Sequence, residues 1–200
     1  MQIKSDKFED YFQHLNKLSF FGSIYHRFYK LPLLYFILRR FGPHLIEIGS
    51  GIGNGVLGMF SSNVTGIDIN PHAIQYCKKK GLNTCLINHN GSYPFADGEF
   101  DACLLDNVLE HIEEPQSTLD ECWRITGSNG GLVVVVPGNA GFNFDPDHKV
   151  FYDEEILRRL DKRWLLISLF SIPFVLKNKR ISKVLRQYCL VAVYKKTKVL

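Results

Sequence analysis

LIEIGSGIGNG, Leu45 to Gly55, is followed nine residues later by VTGID, Val64 to Asp68, and these two runs decide the fold. The first reads as a short buried strand ending at Glu47-Ile48, with glycines then falling at Gly49, Gly51 and Gly53. Glycine admits positive φ and lets a ligand approach the backbone closely. The next segment should open a helix whose N-terminal amides face the loop. The second run delivers Asp68 about 20 residues after the first glycine, the spacing at which a βαβ carboxylate meets ribose hydroxyls. A nucleoside-containing ligand is the leading expectation.

A literal G-x-G-x-x-G lies at Gly53, Gly55 and Gly58. It begins several residues beyond the strand, where the dinucleotide signature should follow directly. What does follow directly is led by Glu47. A carboxylate there repels a pyrophosphate and suits a cationic ligand.

This stretch resembles the first motif of class I S-adenosylmethionine-dependent methyltransferases, whose cofactor carries an ammonium and a sulfonium and no phosphate. The resemblance continues in order. YPFADGEFD, 93–101, is similar to the loop entering the fourth strand, and ACLL, 102–105, to that strand. DNVLEHI, 106–112, resembles the segment leaving it, and GGLVVVVP, 130–137, the fifth strand. FYDEEIL, 151–157, resembles a helix start in small-molecule enzymes of the family, including those of quinone biosynthesis. The match spans about Pro43 to Leu160.

The resemblance implies a Rossmann-like, doubly wound α/β fold. It has seven strands, mostly parallel with an antiparallel last strand, and helices on both faces. The expected organisation is a single domain, with residues 1–42 a helical lid and 43–200 the core. The implied cofactor is S-adenosylmethionine, leaving as S-adenosylhomocysteine. Glu47, Gly49, Gly51 and Gly53 would hold its methionine end. Asp68 would take the ribose hydroxyls, Ile69 would pack on the adenine, and Asp106 and Asn107 would lie under the sulfonium. An acidic residue often follows the third strand in the family. Here His89 and Asn90 stand there, and either can still accept a bond from the adenine amino group. The candidate catalytic residues are His148, in the acidic loop DPDH, then His111 and, more weakly, His26, with Tyr152 orienting the acceptor. The acceptor is expected to be a small or lipid-linked metabolite methylated on oxygen.

Composition narrows the alternatives. Five cysteines form an odd count with no C-x-x-C pair, which favours reduced thiols in the cytoplasm over disulfides or a zinc site, and no metal is expected. The N-terminus has no signal-peptide core, and the apolar runs 31–38 and 165–176 are far shorter than the ~20 residues of a spanning helix. Charge is uneven: 7 basic and 3 acidic residues over 1–40, 5 and 16 over 41–156, and 12 and 1 over 157–200. The basic end, densest from Lys177 to Arg186, is read as a solvated connection or as a peripheral contact with an anionic membrane. No nucleic-acid partner is expected, since no appended module or N-P-P-Y-type motif is present. The rival readings are an RNA or protein methyltransferase, an idle cofactor-binding scaffold, and an NAD-dependent oxidoreductase disfavoured by Glu47. Oligomeric state is not legible.

Helices are expected over Phe8–Leu18, Ile24–Phe41 and Ser117–Ile125, after Asn70-Pro71, and after Asp153. The third strand is expected over Leu82–Ile87 and the last two over Leu165–Ser171 and Tyr188–Tyr194.

Overall fold

The computed structural model describes residues 24–88, 92–173 and 179–197. The expected helix Phe8–Leu18 and the adenine-side residues His89 and Asn90 lie outside these. Seven strands form one sheet: β1 (Leu45–Ile48), β2 (Val64–Asp68), β3 (Thr84–Leu86), β4 (Phe100–Asp106), β5 (Thr126–Pro137), β6 (Trp164–Ile172) and β7 (Cys189–Lys196). Their order is β3-β2-β1-β4-β5-β7-β6. The first five are mutually parallel, and β7 runs antiparallel between β5 and β6.

The central strands are apolar because both faces are covered. Side chains alternate across the sheet. Ile46, Ile48, Cys103, Leu105, Leu132 and Val134 enter one core, while Leu45, Ala102, Leu104, Val133 and Val135 enter the other. The second core is closed by helix α1 (Leu31–Arg39), whose buried residues Leu31, Leu34 and Leu38 recur at helical spacing. A π-helical segment, His26–Lys30, leads into α1.

Helix α2 (Val56–Met59), after the glycine loop, has only four residues. Gly58 weakens it, since glycine costs about 1 kcal/mol in a helix interior. Helix α3 (Pro71–Lys79) starts as expected: Asn70 Oδ1 accepts the His72 and Ala73 amides at 2.9 and 3.2 Å. Helix α4 (Gln116–Ile125) buries Thr118, Leu119, Cys122 and Ile125. The short helices α5 (Asn139–Phe142), α6 (Glu154–Arg158) and α7 (Lys179–Ser182) complete the order. Asp153 caps α6 by accepting the Ile156 amide at 2.9 Å. β5 begins at Thr126, earlier than its apolar run, because Thr126 pairs with Phe100 before a register shift.

Connections leave β1 toward β2 on one side and enter β4 on the other. Open α/β sheets bind ligands at such a reversal, outside the carboxyl ends of the strands.

Candidate functional site

The glycine loop is folded back on the strand ends. Gly49 and Ser50 donate their amides to the Ile67 carbonyl at 2.8 and 3.0 Å. Gly49, Gly51 and Gly53 have φ of 71°, 51° and 73°. At Gly49 a Cβ would also lie 2.6 Å from Val108 Cγ2, so both conformation and space require glycine. Glu47 alternates onto the face of Leu45, which places its carboxylate beneath the start of α2. There Oε2 accepts the Leu57 amide at 2.7 Å, and a side chain at Gly55 would collide with the carboxylate. Burial pushes the Glu47 carboxyl up to about 7, against the helix amides that favour its charge.

Asp68 ends β2 as expected. Its Oδ2 accepts the Gly51 amide at 2.7 Å and its Oδ1 the Asn70 amide at 2.8 Å. Burial raises its pKa. The carboxylate therefore ties loop to strand, and a diol would use its remaining lone pairs. Ile69 is half-buried beside it.

Asp106 ends β4, and Asn107 then takes φ 54°, with its Nδ2 donating to Asp106 Oδ1 at 3.1 Å. At the position expected to face a cationic ligand, the chain supplies its own cation. Lys30 Nζ lies 2.7 Å from Asp106 Oδ1, with the lysine side chain 1% exposed. Burial works against the Lys30 charge, but Asp106 outweighs it and the pKa is raised. Lys30 was not legible as a site residue. The available signal was its place on the stripe of Leu34 and Leu38, four and eight residues on. Nearby His26 is pushed down to about 4 by burial and then by Lys30, which holds it neutral.

A second group forms past β4. The 3-10 turn Leu109–His111 and the loop before Phe151 are joined by the Glu110 carbonyl, which accepts the Lys149 and Val150 amides at 2.7 and 3.1 Å. This brings His148 against His111, ring centroids 4.6 Å apart. His148 Nδ1 lies 2.8 Å from the Phe142 carbonyl oxygen, and Nε2 lies 3.9 Å from Glu110 Oε1 and from Asp145 Oδ2. A carbonyl only accepts, so Nδ1 carries a proton. His148 is nearly buried, not a free loop imidazole. His111 Nδ1 lies 3.3 Å from the Asp147 carbonyl, and burial, then His148, lowers its pKa. Tyr152 is buried, its hydroxyl pushed up to about 12 by burial and then by Glu110. Glu110 is the member that the sequence reading missed. It is buried, neither of its carboxylate oxygens has a hydrogen-bond partner among the described residues, and burial pushes it up to about 8.

Residues 46–134 match the family model described as "Methyltransferase domain". The chain is similar to a demethylmenaquinone methyltransferase of Tropheryma whipplei, 32% identical over 98 residues, which are 46% of this chain and 41% of that protein. It is also similar to a ubiquinone/menaquinone biosynthesis C-methyltransferase of Zymomonas mobilis, 26% identical over 113 residues, 52% of this chain and 47% of that one. The chain spans less than half the length of these curated relatives. Among solved structures, a SAM-dependent methyltransferase from Aquifex aeolicus superposes with a TM-score of 0.65 at 17% identity, over 94% of this chain and 98% of the other. Residues 46–134 thus match a methyltransferase domain, and the chain shares its fold with solved SAM-dependent methyltransferases.

Proposed function

We propose that this domain binds S-adenosylmethionine across the carboxyl ends of β1, β2 and β4 and transfers its methyl group to a small or lipid-linked metabolite. The observation that carries this is the convergence of three carboxylates, Glu47, Asp68 and Asp106, around a glycine loop with three positive-φ residues. The cofactor supplies an electrophilic methyl on a sulfonium, and the chain's work is alignment and exclusion of water. Gly49, Gly51 and Gly53 admit the backbone turn beside the methionine end. Asp68 is assigned the ribose hydroxyls and Ile69 the adenine face. Asp106 and Asn107 are assigned the sulfonium side, with Lys30 paired to Asp106 there. His89 and Asn90 remain assigned to the adenine edge.

The acceptor end is assigned to His148, His111 and Tyr152 around Glu110, where the proton of an acceptor hydroxyl is handled. We assign oxygen as the methylated atom. A second reading, methylation of ring carbon, is favoured by the name of the Zymomonas relative, a C-methyltransferase. Both need an acidic ring hydroxyl, and both fit the quinone-pathway names of the relatives. The chain is taken to act as a single domain in the cytoplasm. No helix among the described residues is long and apolar enough to cross a membrane, and the basic C-terminal segment is assigned a peripheral contact with anionic lipid.

Calorimetric titration with S-adenosylmethionine, S-adenosylhomocysteine and NAD tests the cofactor. Micromolar binding of both adenosyl ligands without NAD is expected. No adenosyl binding would sink the reading, and binding without transfer to any acceptor would favour the idle cofactor-binding scaffold. Transfer of labelled methyl to hydroquinones and catechols, with the product resolved as ether or ring-methylated, then separates oxygen from carbon.

A further inference from the structure

The residues past β4 carry a different chemistry from the cofactor pocket. One ligand atom from each of Glu110, His111 and His148 lies within 4.8 Å of the others. The Glu110 carboxylate is 1% exposed and neither oxygen has a hydrogen-bond partner among the described residues. A buried carboxylate left in this state is costly unless a cation faces it. Lys30 is near enough to act on Glu110, but its ammonium lies against Asp106 at 2.7 Å.

The imidazoles are held in the manner of metal ligands. Both Nδ1 atoms face backbone carbonyls, Phe142 for His148 at 2.8 Å and Asp147 for His111 at 3.3 Å. Such carbonyls orient the ring and hold a proton on Nδ1, the usual outer support of a ligating histidine. For His148, Nε2 faces Glu110 and Asp145, both at 3.9 Å. Two carboxylates facing that nitrogen favour a positive charge between them.

We propose that Glu110, His111 and His148 hold a first-row divalent cation of the Fe2+, Co2+ or Zn2+ kind. Two imidazoles with one carboxylate favour these ions over Mg2+ or Ca2+, which prefer all-oxygen sets. Three protein ligands leave coordination positions for water or another oxygen donor. This departs from the expectation that the chain carries no metal. A hydroxyl coordinated there would be acidified, a consequence that rests on the methyl-transfer reading. Binding of the ion does not rest on it.

The test is titration of the metal-free full chain with Co2+ and Zn2+, read by calorimetry, elemental analysis and the visible spectrum of the Co2+ form. One equivalent is expected, with visible ligand-field bands and without the intense near-ultraviolet band of thiolate ligation, since the five cysteines are the competing donors. Glu110→Gln, His111→Gln and His148→Gln should each weaken binding at least tenfold. Their S-adenosylhomocysteine affinity should be unchanged, which reports folding and keeps the result separate from the cofactor question. Substoichiometric binding by the wild-type chain, thiolate ligation, or full affinity in all three variants would overturn the proposal. A variant that fails to fold leaves the wild-type stoichiometry and spectrum to decide.

Discussion

Glu47 anchors the start of α2 and, in the proposed function, also faces the cofactor, two roles with opposite electrostatic demands. Its carboxylate is buried and holds the Leu57 amide at 2.7 Å. Burial lifts its pKa to about 7, with Asp106 adding to the shift and Lys30 opposing it. Above that pH the residue is ionised and attracts a cationic ligand. Below it the carboxyl is neutral. Cofactor affinity should therefore be full near pH 8 and fall as pH drops below about 7, by up to about tenfold per unit. Titration across that range checks this, and Glu47→Gln should flatten the profile. For stability the sign reverses. The folded chain binds this proton more tightly than the unfolded chain, so this residue's contribution declines as pH rises from about 4.5 to about 7. Asp68→Ala should abolish adenosyl-ligand binding, and retained full affinity would remove the ribose assignment. The variant also frees the Gly51 and Asn70 amides, so Asp68→Asn serves as the control that keeps an acceptor in place. The places of Glu47, Asp68 and the glycines at the strand ends were legible because each sits at a fixed offset in a strand–loop pattern. Glu110 and Lys30 were not, because their roles come from burial beside groups far off in the chain.

At the scale of elements, the packing of α1 explains why a charged residue can lie on its inner face. Lys30 shares a stripe with Leu34 and Leu38, all buried, and reaches Asp106 at the end of β4. The helix is thus attached to the sheet both by apolar contact and by one buried ion pair. Breaking such a pair from one side leaves an uncompensated charge and costs about 3–5 kcal/mol. Lys30→Met should destabilise the chain by about 3 kcal/mol, measured by urea unfolding. A loss below about 1 kcal/mol would mean that the apolar stripe alone holds the helix. Helix α3 was readable in full because its cap and proline act locally, whereas α2 ran shorter than a loop-to-helix pattern suggests. The helix-weakening glycine is visible in the sequence, whereas the Gly53 carbonyl that a side chain at Gly58 would strike and the seat of Glu47 under the first turn are tertiary facts. The last two strands were placed within two residues of their observed ends, and the antiparallel order of β7 came from family resemblance, since a strand pattern carries no direction.

Across the whole molecule, charge is divided more sharply than fold. The segment 157–200 has 12 basic and 1 acidic residues, yet many of these cations are already engaged. Arg163 pairs with Asp161 and Asp120, Arg159 with Glu155, and Lys196 Nζ donates to the Trp123 and Thr126 carbonyls. Lys183 remains exposed beside Val184, itself 80% exposed, and Arg186 is exposed with its guanidinium over the Phe144 ring. If this surface meets anionic lipid, the chain should sediment with phosphatidylglycerol vesicles and release them as salt rises from 50 to 500 mM, a range over which screening shortens from roughly 14 to 4 Å. Lys183→Glu with Arg186→Glu should weaken that binding severalfold, and equal binding to neutral vesicles would count against it. What the sequence determined by itself was local and periodic: strand–glycine–helix order, caps, apolar alternation and the carboxylates at strand ends. Tertiary structure decided which distant groups share a buried space, Lys30 with Asp106 and His148 with the neighbours Glu110 and His111. Desolvation and charge pairing depend on neighbours in space, and no spacing along the chain encodes them.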